Sequence, residues 1–125
     1  MEKEIKMYED YLSIFDKHNP KIMHKYKHTF RVVDYAKTIS NSLGISEDEQ
    51  KRACVCALFH DLGRFPQARD YDTFEDSKSF DHGDKSFEIL NEYDKNLISQ
   101  IISVDTFDNG QQMTELTLLS TENDV

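Results

Sequence analysis

At 125 residues the chain is long enough for one domain around one hydrophobic core, with roughly 65–70% of its extended surface buried on folding, and too short for a second. Its 38% hydrophobic and 31% charged residues, with only four Gly and two Pro, exclude a disordered or fibrous chain, and no stretch approaches the roughly 18 apolar residues of a membrane span. A net charge of -9 argues against the general phosphate-backbone attraction on which DNA or RNA binding draws, so a polymeric nucleic-acid partner is not expected, and an anionic substrate must be drawn in locally, for example by bound metal ions.

The start, Met1-Glu2-Lys3-Glu4-Ile5-Lys6, runs straight into charged helix-like sequence without the apolar region of a secretory signal, which predicts a cytoplasmic protein without a membrane partner. Ile5, Tyr8, Leu12 and Phe15, supported by Tyr11 and Ile14, recur at three- and four-residue intervals and predict a first helix over residues 3–17, ending before Asn19-Pro20. A second begins after Pro20 and runs through His28, Val32, Ala36, Ile39 and Leu43 to Gly44, placed as a left-handed C-terminal cap. Ser46-Glu47-Asp48-Glu49 fits a capping box and opens a third helix. Its last stretch, Ala53 to Phe59, is almost wholly apolar, so it should be buried on all sides where it delivers His60 and Asp61. Cys54 and Cys56 stand two apart on this helix, diverge, and read as reduced core residues.

Gly63 and Pro66 are expected to break the third helix, and the polar, aperiodic residues 66–79 read as a long loop, a flap over the site. A fourth helix is expected from about Asp81 to Glu92, with Phe87 and Leu90 inward, and a fifth from near Lys95 through Leu97, Ile98, Ile101 and Ile102. Beyond Asp105 the pattern weakens into scattered apolar positions: a short helix, an edge segment or a loose tail.

A buried helix ending in an imidazole beside a carboxylate must satisfy that pair by hydrogen bonds or by a metal. Adjacent His60-Asp61 taken alone reads as readily as a hydrogen-bonded helix end. His28 on the preceding helix and His82 after the flap complete a His/His-Asp/His set able to converge on one point, a donor set that suits Mn, Fe, Co, Ni or Zn, with Mg taking an oxygen-rich position. His24, four residues before His28, reads as a surface or outer residue, and His18 as part of a helix end. Lys78, Asp81 and Asp84 read first as solvated charge, although Lys78 could reach a phosphate from the flap.

With His28-Thr29-Phe30-Arg31-Val32-Val33, then His60-Asp61-Leu62-Gly63-Arg64-Phe65, then Tyr71 through Phe80-Asp81-His82, the chain resembles bacterial HD-domain proteins related to metal-dependent phosphohydrolases. The likeness runs from about residue 20 to 103. It implies an all-α HD-type bundle of five to six helices, one domain over residues 1–125, around one or two divalent metal ions, with hydrolysis of phosphate esters of nucleotides or related compounds as the usual activity. By position, His28, His60 and Asp61 match the first three metal ligands, Asp61 would bridge two ions, and His82 resembles the additional His of the dinuclear branches. Arg64 stands at the basic position of the HDxGK/R pattern, where a guanidinium can hold a phosphate bidentately and steady developing charge; an exposed salt bridge to Asp70 or Glu75 is its structural alternative. The Glu that 5′-nucleotidase-like members use for proton transfer is absent.

Family members continue with a His-Asn pair and a later Asp, and here the His-Asn position falls at Val104-Asp105. Asp105 could supply a carboxylate, although an ordinary surface Asp is the weightier reading, and Asp108 is a weaker substitute; the C-terminal region, residues 106–125 above all, is expected to be shortened or diverged. Two readings of function follow, a phosphohydrolase with Asp61 and Arg64 in the chemistry acting on a small phosphorylated substrate, and a shortened, non-catalytic domain binding a nucleotide or a protein partner. A diiron oxygenase would use the same four-residue set. An incomplete bundle would leave the inner faces of the second and fifth helices exposed, which a homodimer could cover.

Overall fold

The computed structural model describes residues 1–93, and every regular element there is helical: α1 (Glu2–Leu12), α2 (Pro20–Ser42), α3 (Glu47–Phe59), α4 (Arg64–Tyr71), a single 3-10 turn (Asp76–Lys78) and α5 (His82–Tyr93). The expected fifth helix near Lys95, the tail and Asp105 and Asp108 lie outside the described residues. No helix among those residues is long and apolar enough to cross a membrane.

α1 stops five residues short of the expected Lys17. Past Leu12 the backbone tightens, with Phe15 N donating to Leu12 O at 3.0 Å, while the Ser13 hydroxyl donates to the Asp10 carbonyl at 2.6 Å. That turn carries Phe15 into the core and leaves Ile14 exposed, although both were expected on the inner face. α2 starts on Asn19, whose side chain accepts from Lys21 N, with Pro20 in the first position, where a missing N–H costs nothing. It ends through Leu43 into Gly44, whose φ of 66° is the expected left-handed cap. Ser46 caps α3 by accepting from Glu49 N at 3.2 Å.

The expected loop from residue 66 is a helix at its start. α4 takes in Pro66 at its third position, where an amide hydrogen would have no partner inside the helix, and buries Phe65, Gln67 and Ala68. It ends at Asp72, held at φ 50°, so the irregular segment shrinks to residues 72–81 around the 3-10 turn. Asp81 Oδ1 then accepts from Asp84 N at 2.8 Å and starts α5, one residue later than expected.

α2 packs chiefly on α3 and also on α4, and α1 rests on α3. Between them lies an aromatic cluster in which Tyr8 meets Tyr26, Phe30 and Phe65, and Phe65 meets Phe15 at 5.8 Å between centroids. Such pairs contribute about 0.5–1.5 kcal/mol each beyond their burial. Phe65 is fully buried, so it anchors α4 directly after the His60–Gly63 turn, and Tyr11 ties α1 to the same turn by donating to the Leu62 carbonyl at 3.3 Å. Cys54 is buried and Cys56 partly so, both as free thiols. On the outer side of α2, Tyr35, Ile39 and Leu43 stand exposed at four-residue steps.

Candidate metal centre

α2 and the end of α3 bring three side chains to one point. Nε2 of His28 and Nε2 of His60 each lie 3.2 Å from the same oxygen, Oδ2 of Asp61, and among the described residues these three form the group whose ligand atoms all come within 4.8 Å of one another. His28, His60 and Asp61 are all buried, His60 completely. Neither Nε2 is oriented to make a hydrogen bond.

The chemistry of the set can be tested from its own contacts. His60 Nδ1 donates to the carbonyl of Ala57, one turn back, so Nδ1 carries a hydrogen and in the neutral ring Nε2 presents a lone pair. A lone pair facing a carboxylate oxygen 3.2 Å away is unfavourable, and either a proton on Nε2 or a metal cation between the two atoms relieves it. Ligand atoms about 2.0–2.1 Å from a tetrahedral ion stand roughly 3.3 Å apart, close to the spacing found. Burial pushes the Asp61 carboxyl up, but its contacts with His28 and His60 and the Lys25 charge outweigh burial and hold it well below the usual carboxylate range. Two imidazoles and an ionised carboxylate fit a borderline divalent metal.

The other expected residues separate. Arg64 is buried and beside the centre, its Nε 3.9 Å from Asp61 Oδ1. Its Nη1 donates to Gln67 Oε1 at 2.8 Å, to the Phe74 carbonyl at 2.7 Å and to Asp76 Oδ1 at 3.2 Å. The alternative of an exposed salt bridge to Asp70 or Glu75 is overturned, since Asp70 pairs with Arg69 and Glu75 with Lys78. Lys78 is exposed in that pair, and the structure does not bring it to the centre. His82 is buried but stands outside the close group, its Nδ1 2.7 Å from Asp76 Oδ2. His24 is exposed, in keeping with its surface reading, whereas His18, read as part of a helix end, is exposed in the turn between α1 and α2.

Three participants were not singled out in the sequence. Lys25, one turn before His28 on the same face of α2, is 3% exposed and puts Nζ 3.4 Å from Asp61 Oδ2. Its spacing of three from His28 was a signal that could have been read. Asp76 and Gln67 bind the irregular segment to α4 and α5: Asp76 Oδ1 accepts from Gln67 Nε2 at 2.9 Å as well as from Arg64, while Oδ2 meets His82. No periodicity marks a carboxylate in an aperiodic segment, so Asp76 carried no comparable signal.

A family model described as HD domain matches residues 26–120, which takes in His28, His60, Asp61, Arg64 and His82 and reaches past residue 103, where the resemblance read from the motifs stops. No curated protein and no solved structure matches the chain. With that match over well more than half its length, and with His28 meeting His60-Asp61 between α2 and α3 in an all-helical fold, the chain belongs to the HD domain family.

Proposed function

We propose that the chain is a metal-dependent phosphohydrolase acting on a small phosphomonoester or phosphodiester, a nucleotide or a related metabolite. The observation that carries this reading is the convergence of His28 Nε2, His60 Nε2 and Asp61 Oδ2 in a buried position with both nitrogens lacking a hydrogen-bond partner. HD domains are usually hydrolases, and the ligand set fits one ion of Mn, Fe, Co, Ni or Zn. Bound there, a divalent ion supplies activation of water and polarisation of a phosphoryl oxygen.

The protein's own groups supply the rest. Ala57 orients the His60 ring through Nδ1 and leaves Nε2 facing the centre, and the Asp61 carboxyl is held well below its usual range, so the set presents an ionised carboxylate to the ion. Arg64 brings a guanidinium to the edge of the centre, fixed through Nη1 by Gln67, Phe74 and Asp76, and is proposed to steady the negative charge of a phosphate bound there. His82, oriented by Asp76 through Nδ1, is proposed as a ligand of a second ion, and Asp105 as a further carboxylate donor. Purified protein supplied with Mn, Co or Ni should hydrolyse a generic phosphoester, and His60→Ala or Asp61→Ala should each remove at least a hundredfold of that rate. Turnover retained in both variants contradicts the proposal.

A further inference from the structure

His28, His60, Asp61, Lys25 and Arg64 are each no more than 5% exposed, so an ion cannot reach the centre unless part of the protein moves. The helices that carry these residues are held firmly. α4 buries five of its eight residues, and α2 and α3 pack on each other. Residues 72–81 differ, because none of them is buried, although Phe74 rests partly against the core. Stretches with so little burial are the ones that open locally at low cost. This stretch nonetheless lies directly on the centre. The Phe74 ring lies against both of its cations, with the centroid 5.2 Å from Lys25 Nζ and 5.7 Å from Arg64 Cζ, and the Phe74 carbonyl accepts from Arg64 Nη1 at 2.7 Å. Two residues on, Asp76 meets Arg64 and Gln67 of α4 and His82 of α5, and Ser79 Oγ accepts from Gln67 Nε2 at 2.8 Å. Both ends are fixed, Asp72 leaving α4 at φ 50° and Asp81 capping α5.

We infer that residues 72–81 are a lid over the centre, with Phe74 as its seat and Asp76 as its latch, and that it lifts to admit the ion. The inference rests on the metal-dependent phosphohydrolase reading and adds to it the route by which the ion arrives. Lifting breaks the segment's own contacts and asks nothing of the other contacts that Lys25, Arg64 and His82 make. Such a lid has a kinetic signature that a merely structural segment lacks, because uptake and release pass through the same open state. A variant that opens it more often speeds both by one factor and leaves the affinity where it was.

Phe74→Ala removes the seat and leaves the proposed ligands and the latch in place. Wild type and F74A are compared by amide exchange of the metal-free proteins over residues 74–82, where the His82 N–H donates to Asp76 Oδ2 at 3.3 Å. They are compared again by the rates of Mn²⁺ uptake and release, with a fluorescent chelator as reporter. Exchange, uptake and release are all expected about tenfold faster in F74A, with the Mn²⁺ Kd within about threefold of wild type. Should F74A not fold, Phe74→Leu, which keeps an apolar group without a ring face, carries the same expectation at about threefold. Faster exchange with unchanged Mn²⁺ rates would show that the ion arrives elsewhere, and faster release without faster uptake would make Phe74 a support of the ligands. Either result, or unchanged exchange, overturns the inference and leaves the metal centre standing. Wild-type protein that takes up no Mn²⁺ overturns the metal-centre reading, and the inference with it.

Discussion

A Cβ built on Gly63 would stand 2.5 Å from the His82 carbonyl oxygen, 3.0 Å from Lys85 Cβ and 3.1 Å from Ser86 N. Most of what it would strike is backbone, which cannot swing away, so the first turn of α5 reaches the His60–Gly63 turn only because residue 63 has no side chain. The backbone of Gly63, at φ -67°, is one that any residue adopts, so the requirement is for space. The contact is sealed by Gly63 N donating to Ser86 Oγ at 2.8 Å and Ser86 Oγ donating to the His82 carbonyl at 2.7 Å. Gly63→Ala should therefore push α5 away, draw His82 from Asp76 and lower stability by about 1–3 kcal/mol, as overpacked sites do. Denaturant unfolding checks this, and a G63A midpoint equal to wild type would show that the approach is looser than described. The sequence marked Gly63 as a helix breaker, but α3 already ends at Phe59 and Gly63, with right-handed backbone angles, opens α4; the neighbour it admits lies about 20 residues downstream, at His82 to Ser86, and no local pattern points to it.

Asp76 works at the scale of the element, since one carboxylate closes residues 72–81 onto both α4 and α5. Burial pushes its carboxyl up, while hydrogen bonds from Gln67 and His82 and the His82 charge pull it down by more, leaving it below its ordinary value. A carboxyl depressed in the folded state stabilises the fold above its unfolded pKa of about 3.9, and that contribution is lost as pH falls through the folded value. Asp76→Asn should thus be less stable than wild type at neutral pH and lose less on acidification between about pH 5 and pH 3. Urea midpoints across that range test it, and parallel curves for the two proteins would contradict it. α4 escaped sequence reading because its eight residues offer only Phe65 and Ala68 as buried apolar positions and carry a proline. α2 and α3 were legible because helix-length apolar stretches and end signals agree there, with Gly44 and Ser46 in the expected roles, although Ile39 and Leu43 of the expected α2 stripe stand exposed and the capping role of Asn19 was not foreseen.

Across the whole molecule, an acidic chain keeps two cations, Lys25 and Arg64, buried around one carboxylate that two histidines also face. His28 and His60-Asp61 were readable as a set because helices α2 and α3 had to pack on each other and both residues fall on their facing sides. Lys25, Asp76 and the true partners of Arg64 were not, since each depends on how the segments cross. The central claim is that His28, His60 and Asp61 hold a divalent ion. Anomalous scattering from crystals grown with Mn²⁺ tests it most directly: a peak bonded to His28 Nε2, His60 Nε2 and Asp61 Oδ2 is the expected result, and no peak there, with the Lys25 ammonium still on Asp61, would contradict it.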